Sequence, residues 1–431
     1  MKKQSVILAV ILTINLLFAQ TDIYVLCEGN FQTPNSTLWK FSDQLGPVQG
    51  PVHWDPNSNP LGDTGQSLHI ADDHLFIVMN NSNTVEVVNL SNNFEFITTI
   101  NVSGASPRYF ATYDNVGYLT NWNTGGIIRI NLSNYALLDP IPTPGLMTEA
   151  ILVHAGYLYV SSSMYQDWSN NDMVLKYNLM NPLAAADTFQ VVPGPITLLA
   201  VGDSIFVACQ YYDANWNANS GTSLIQHSTG YVTTNDYSTN LGAADLLEID
   251  GNVYRTVPRG IAALTTSLDI NEVNQIGDIP GVYSAYAYQD HIFIGHTTDY
   301  MAPDTVTVFN TQGTVIQEYI VGALPGSFVS YLSGTTKVDE VVQPVEYAII
   351  TTYPNPFNAS VAIDFSIPQD SKIRLVVYDI SGRLVEDLVR DYLIPGKYTY
   401  KWNGGIYASG TYFLALTING NKVVKKITML K

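Results

Sequence analysis

Charge is scarce in this sequence, cysteine is nearly missing, and helical periodicity is all but absent between residues 21 and 335. Only 13% of the 431 residues are charged, and 19 Lys and Arg stand against 37 Asp and Glu, for a net charge of −18. That balance argues against nucleic acid or an anionic membrane surface as partner. Two cysteines cannot build a disulfide framework or a structural zinc site. Beyond residue 20 no apolar run reaches the roughly 18 residues of a membrane-spanning helix, so no transmembrane span is expected in the mature protein. What the chain does carry is 46% apolar residues and 28 Tyr. That is too much for disorder and enough for a large core.

The charge is uneven along the chain. Residues 1–20 hold two Lys and no acid, residues 21–350 hold 7 basic and 31 acidic residues, and residues 351–431 hold 10 basic and 6 acidic. Lys2 and Lys3 precede an apolar run from Val6 to Phe18, and the small Ala19 follows. This reads as a secretory signal peptide over residues 1–20, cleaved after Ala19 or Gln20.

From residue 21 onward, short alternating strands are separated by Asn, Asp, Gly and Ser clusters, the pattern of an all-β protein. A turn pair recurs at Asp72-Asp73, Asp114-Asn115, Ala155-Gly156, Gly202-Asp203, Asp250-Gly251 and Gln289-Asp290. Three residues after each pair stands an aromatic: Phe76, Tyr118, Tyr159, Phe206, Tyr254 and Phe293, spaced 42, 41, 47, 48 and 39 residues apart. That period suits one four-stranded propeller blade. Ile23–Leu26 and Thr37–Phe41 lack an inner strand before them, while Ser327–Leu332 reads as an inner strand with nothing after it. Joined, they complete one blade. Residues 21–335 are therefore expected to form a seven-bladed β-propeller, its first blade closed by both ends, with two β-sandwiches as the alternative.

Propeller topology collects the loops between second and third strands, and the connections between blades, on one face. The residues expected to bind a ligand there are Trp54, Arg108, Trp122, Tyr165, Trp168, Tyr211, Tyr212, Trp216, Arg259, His296 and Tyr300. Aromatics converging on a concave face suit a small molecule, a glycan or a protein partner, since ring faces bury area at low entropic cost. His74 and His291 share one position after the turn and are expected to be solvated. Cys27 and Cys209, in blades that do not touch, are expected as free buried thiols. No catalytic triad or metal-ligand motif is present, so no enzyme activity is expected. No cofactor is expected either. The loop Asp213–Gly221 imitates a calcium loop in its first oxygen ligands, but it lacks the sixth-position Gly and the closing Glu.

Tyr-Val-Leu-Cys-Glu-Gly-Asn at 24–30, Ser-Pro-Arg-Tyr at 106–109 and Gly-Tyr-Leu-Thr-Asn-Trp at 117–122 resemble the surface propellers of the YncE-like, or YVTN-repeat, group in Bacteroidetes-type bacteria. The resemblance implies a binding propeller at the cell surface. Corrinoid capture is the alternative it brings; a metal-assisted hydrolase or lactonase, the usual propeller enzyme class, and a structural adhesin are further alternatives.

Residues 336–350 read as a linker. Tyr353-Pro354-Asn355-Pro356-Phe357-Asn358 follows, too rich in Pro for a central strand. About six strands then suggest a small Ig-like sandwich over 351–431, with hairpin pairs at Ser381-Gly382 and Asn419-Gly420. The Tyr-Pro-Asn-Pro-Phe-Asn opening, Val-Tyr-Asp-Ile-Ser-Gly-Arg at 377–383, and Gly410 and Tyr412 in Ala-Ser-Gly-Thr-Tyr-Phe resemble the type A sorting domain of the type IX secretion system. That family implies export through the periplasm to the outer surface or medium, with the secretion machinery as partner and Tyr353 to Phe357, Gly382, Gly410 and Tyr412 as the signal. The expected whole is an exported ligand-binding propeller carried by a sorting tail.

Overall fold

A computed structural model describes residues 20–52, 61–92, 94–301, 303–333, 351–367, 371–380, 382–393, 396–418 and 421–430. Every regular element among them is a β-strand. Six four-stranded antiparallel sheets follow one another in chain order, each running first strand to fourth without a crossover, from Gly65–Ala71 to Val315–Val321. One further sheet is shared between the two ends of this region: Gln20–Cys27 lies between Thr37–Ser42 and Pro325–Ser333. Its fourth position is marked among the described residues only by an isolated bridge between Lys40 and Gln49. The first strand of each sheet packs against the first strand of the next, and Pro325–Ser333 touches both Val282–Tyr288 and Gly65–Ala71, so the circuit closes.

The turn pairs explain the repeat. Asp72, Asp114, Ala155, Gly202, Asp250 and Gln289 all adopt φ between +49° and +57°, the left-handed region that tight hairpin turns demand. A fixed two-residue turn fixes register. Each repeat aromatic therefore pairs with the equivalent inner-strand residue: His69 with Phe76, Ala111 with Tyr118, Leu152 with Tyr159, Leu199 with Phe206, Leu247 with Tyr254 and Tyr286 with Phe293. The aromatics then fill the seams between sheets. Phe76 stacks on Phe110 of the next sheet at 4.7 Å, and Tyr159 packs with Ile205 and Val207.

The closing seam shows why both ends are needed. Along Gln20–Cys27, Ile23, Val25 and Cys27 face Phe293, Val306 and Tyr319 of the last sheet, while Tyr24 and Leu26 face Leu68 and Leu75 of the next. A strand buried on both faces needs apolar residues on both, and Ile23 to Cys27 supply them, while the buried Asp22 before them is paired with Lys40. Cys27 and Cys209 are free and buried, and burial pushes both thiols up to about 12. His74 and His291, expected in solvent, are half-buried instead, and His291 lies edge-on to Phe293.

Residues 351–429 form two facing sheets, Thr351–Tyr353 with Ser360–Ile367 and Gly396–Asn403, and Leu384–Leu393 with Ser371–Asp379, Gly410–Ile418 and Asn421–Met429. Their core surrounds the fully buried Trp402, which contacts Phe357 and Tyr412. The Pro-rich opening is tied to the last strand: Thr428 N–H donates to Asn355 Oδ1 at 2.9 Å, and Phe357 and Leu430 exchange backbone bonds with that strand and segment. Tyr353 is exposed, whereas Phe357 and Tyr412 are core residues and Gly382 takes φ +75° in its hairpin. Tyr392 of this sandwich packs on Gly156 and Tyr113, at the turn ends of the third and fourth propeller sheets.

Phe293→Ala empties a buried ring from the closing seam. A loss of about 3–5 kcal/mol in urea unfolding is expected, whereas Val273→Ala, on an exposed outer strand, should change stability little.

Candidate functional site

A cavity of about 550 Å³ opens where the first strands of the sheets begin, on the face away from the turn pairs. Its floor follows a rule of register. Gln66, Arg108, Glu149, Ile196, Ala244 and Tyr283 each stand ten residues before a repeat aromatic, and all six line it. Tyr24 pairs with Val329, which makes Gly326 the seventh equivalent, and it lines the cavity too.

Bulges aim these side chains. The ladder register shifts across Gln66, Arg108, Glu149, Ile196, Tyr283 and Gly326. A bulge leaves its extra residue unpaired and re-aims its side chain. In three sheets the N–H that follows is satisfied by a hydroxyl two residues after the aromatic: Tyr109 by Thr120, Ala150 by Ser161 and Asp245 by Thr256, at 2.9–3.0 Å. Gly326 leaves a gap that Glu28 fills from the neighbouring strand, since a Cβ there would lie 2.7 Å from Glu28 Oε1.

Among the described residues the one cation lining the cavity is already engaged. Arg108 donates through Nε and Nη2 to Glu149 Oε1 at 2.8 and 2.6 Å, donates through Nη1 to Gln66 Oε1, and lies 4.2 Å over the Trp122 ring. Trp122 Nε1 donates to Glu149 Oε2 at 2.7 Å. Burial opposes the guanidinium charge, but Glu149 more than offsets it and holds Arg108 above its ordinary pKa. Two other carboxylates have no such partner. Burial pushes Glu28 up to about 6 despite a Tyr283 hydrogen bond and the Arg108 charge. Burial likewise pushes Asp245 up to about 6, although Ala285 N–H donates to its Oδ2 at 2.8 Å and Arg255 lies behind the wall. Tyr109, close to both, and Tyr283, beside Glu28, are raised chiefly by burial.

Rings climb from this floor to the rim. Trp122 meets Trp168 edge-on at 6.1 Å, Tyr212 meets Trp216 at 6.4 Å, and Tyr283 meets Tyr300 at 6.5 Å. The outer members are 65%, 84% and 63% exposed and adopt φ of +68°, +62° and +61°. A left-handed conformation costs a residue with a Cβ roughly 1–2 kcal/mol, and here it is held by the turn, with Trp168 N–H donating to Tyr165 O, Trp216 N–H to Asp213 O and Tyr300 N–H to Thr297 Oγ1.

Of the residues predicted from sequence, Arg108, Trp122, Tyr211, Tyr212 and Tyr300 line the cavity, and Trp168 and Trp216 stand at its rim. Met164, Tyr165, Tyr211 and Tyr212 are strand residues, because the second and third strands of these two sheets keep pairing beyond the sheet body as projecting arms. Tyr165 is half-buried and does not line the cavity. Arg259 is paired outside it with Asp278. His296 lies against Thr307 at 2.9 Å, with burial lowering its pKa. Trp54 falls outside the described residues. Asp213 spends its carboxylate on its own loop, accepting from Asn215 and Asn217 N–H and Asn217 Nδ2 at 2.8–3.0 Å. Among the described residues no three His, Cys, Asp or Glu side chains gather as a metal site. Sequence reasoning missed Glu28, Gln66, Glu149, Asp245 and Tyr283, although the ten-residue offset marks three of them.

Because the folded pKa values of Glu28 and Asp245 are raised, the fold favours their protonated forms. Their stabilising contribution is full below the unfolded values near 4 and is lost as pH rises through 6. Glu28→Gln and Asp245→Asn should each remove on the order of 2 kcal/mol of the stability lost between pH 4 and 7, read from urea midpoints across that range.

No curated protein matches the chain. Among solved structures, a candidate 6-phosphogluconolactonase from Bacteroides uniformis aligns with a TM-score of 0.55 at 14% identity, over 73% of this chain and 100% of its own. A second from Bacteroides fragilis aligns at 0.53 and 14% identity over 73% and 98%. A quinoprotein alcohol dehydrogenase-like protein from Bacteroides thetaiotaomicron aligns at 0.53 and 12% over 71% and 77%. At such identities the likeness speaks for the β-propeller fold alone. Residues 351–430 match the secretion system C-terminal sorting domain, so the chain ends in a type IX sorting domain that marks it for secretion or surface export.

Proposed function

We propose that the protein is an exported seven-bladed propeller that binds a ligand in the cavity at the strand-entry face, with the sorting tail as a delivery device. The observation that carries this is the convergence of seven equivalent floor positions beneath three ring pairs. A volume of about 550 Å³ falls in the usual range for small-molecule sites. The tail supports export: the sandwich packs at the turn ends, away from the cavity, so cleavage or anchoring of the tail would leave the binding face open.

A hydrolase is the second reading, favoured by Glu28 and Asp245. Carboxyl groups held near 6 are suited to proton transfer. A phosphorylated substrate suits this floor poorly, since the one lining cation is committed to Glu149.

Two experiments test the proposal. Titrating the full chain with a panel of saccharides, aromatic amines and quaternary ammonium ions should give saturable quenching of tryptophan fluorescence for one class, weakened at least tenfold by Trp122→Ala. Absence of binding by every class, or affinity unchanged in the variant, would remove the cavity from the account. For export, deleting residues 351–431 should leave the propeller in the periplasm by cell fractionation; normal appearance in the medium or on the surface would contradict the role of the tail.

A further inference from the structure

The floor and the rim of the cavity make complementary demands on an occupant. Three carboxylates, Glu28, Glu149 and Asp245, line it against one guanidinium, and that guanidinium is closed into a network with Glu149, Gln66 and Trp122. Glu28 and Asp245 thus face the space without a lining cation of their own. Asp245 Oδ1 receives no hydrogen bond from a described residue. Arg255, whose charge acts on Asp245, is fully buried behind the wall and donates to Gly221 O, Thr222 Oγ1 and Cys209 O. Above this acidic floor the ring pairs present aromatic faces and edges, and their outer members are exposed.

From these juxtaposed features we infer that the cavity takes a free organic cation, an ammonium or quaternary ammonium ion. Its charge would sit between Glu28 and Asp245, and its apolar body would lie against Trp122, Trp168 and Tyr283. This rests on the binding reading above and names its ligand class. An organic cation is the occupant that supplies the missing positive charge and at the same time gains from ring faces. An anion would meet two half-buried carboxylates, and a neutral sugar would cover them without neutralising them. The acidic field of the chain, with a net charge of −18, favours approach of a cation as well.

Protonation opposes such an occupant. The groups facing Glu28 are Tyr283, Tyr109 and Arg108, and those facing Asp245 are Tyr109 and Arg255. None of these basic or phenolic groups titrates near pH 6. Raised carboxyl pKa values make the floor neutral in mild acid, so cation affinity falls as pH drops below about 6.

The test titrates the full chain with benzyltrimethylammonium and with neopentylbenzene, its uncharged carbon isostere, using cellobiose and glucose 6-phosphate as neutral and anionic comparators. The ammonium ion should bind at least tenfold more tightly than the isostere at pH 7.5 and lose at least fivefold in affinity at pH 5. Glu28→Gln or Asp245→Asn should cost it about tenfold. Trp168→Ala, at an exposed tip where folding is not at risk, should weaken it severalfold and keeps the test decisive if a floor variant misfolds. Equal affinity for ion and isostere, or a flat pH profile, overturns the inference. Binding of cellobiose or glucose 6-phosphate in place of the ammonium ion overturns it while leaving the binding reading intact; silence from all probes removes both.

Discussion

The whole propeller depends on one strand being buried from both sides. Gln20–Cys27 pairs along one edge with Thr37–Ser42 and along the other with Pro325–Ser333, although some 300 residues of chain separate the latter pair. Its odd and even apolar side chains fill two different seams. Until that strand is in place, the first and last sheets expose an apolar face and an unpaired edge, the arrangement that closed β architectures exist to avoid.

Closure has a consequence at the centre. Once the sheets form a circuit, equivalent residues of all of them must meet at one end of the inner strands. Bulges at six of those positions, all but Ala244, turn the chain there into a common space and away from the seams. Seven positions under one backbone rule carry seven residue types of no shared chemistry: Gly, Gln, Arg, Glu, Ile, Ala and Tyr. The seams use the repeat for stability, and their residues are alike. The floor uses the same repeat for recognition, and its residues differ.

The rim extends this division. Two projecting arms end in the same turn, with Trp168 N–H donating to Tyr165 O and Trp216 N–H to Asp213 O, both at 2.9 Å. Glycine is the residue that such a left-handed position favours, and tryptophan stands there in both.

Much of this was determined by sequence alone. The turn pairs and their aromatics announced repeated sheets, because a two-residue turn fixes register and register fixes which face a side chain occupies. The unmatched strands at 23–26 and 327–332 announced closure, and the motifs from Tyr353 to Tyr412 announced the sorting domain. Aromatics on projecting arms were legible as residues too large and apolar for ordinary loops. The charged floor was not. Glu28, Glu149 and Asp245 look like any surface acid in the sequence. Only a bulge, which composition does not reveal, turns Glu149 inward, only the missing side chain of Gly326 makes room for Glu28, and Asp245 reaches the space from just ahead of its inner strand. Likewise Arg108 read as a free ligand contact until the tertiary structure placed Glu149, from the next sheet, against it. Local turns decide what a β repeat looks like; which side chains share its centre is decided when the ring closes and distant strands lend their ends to one space.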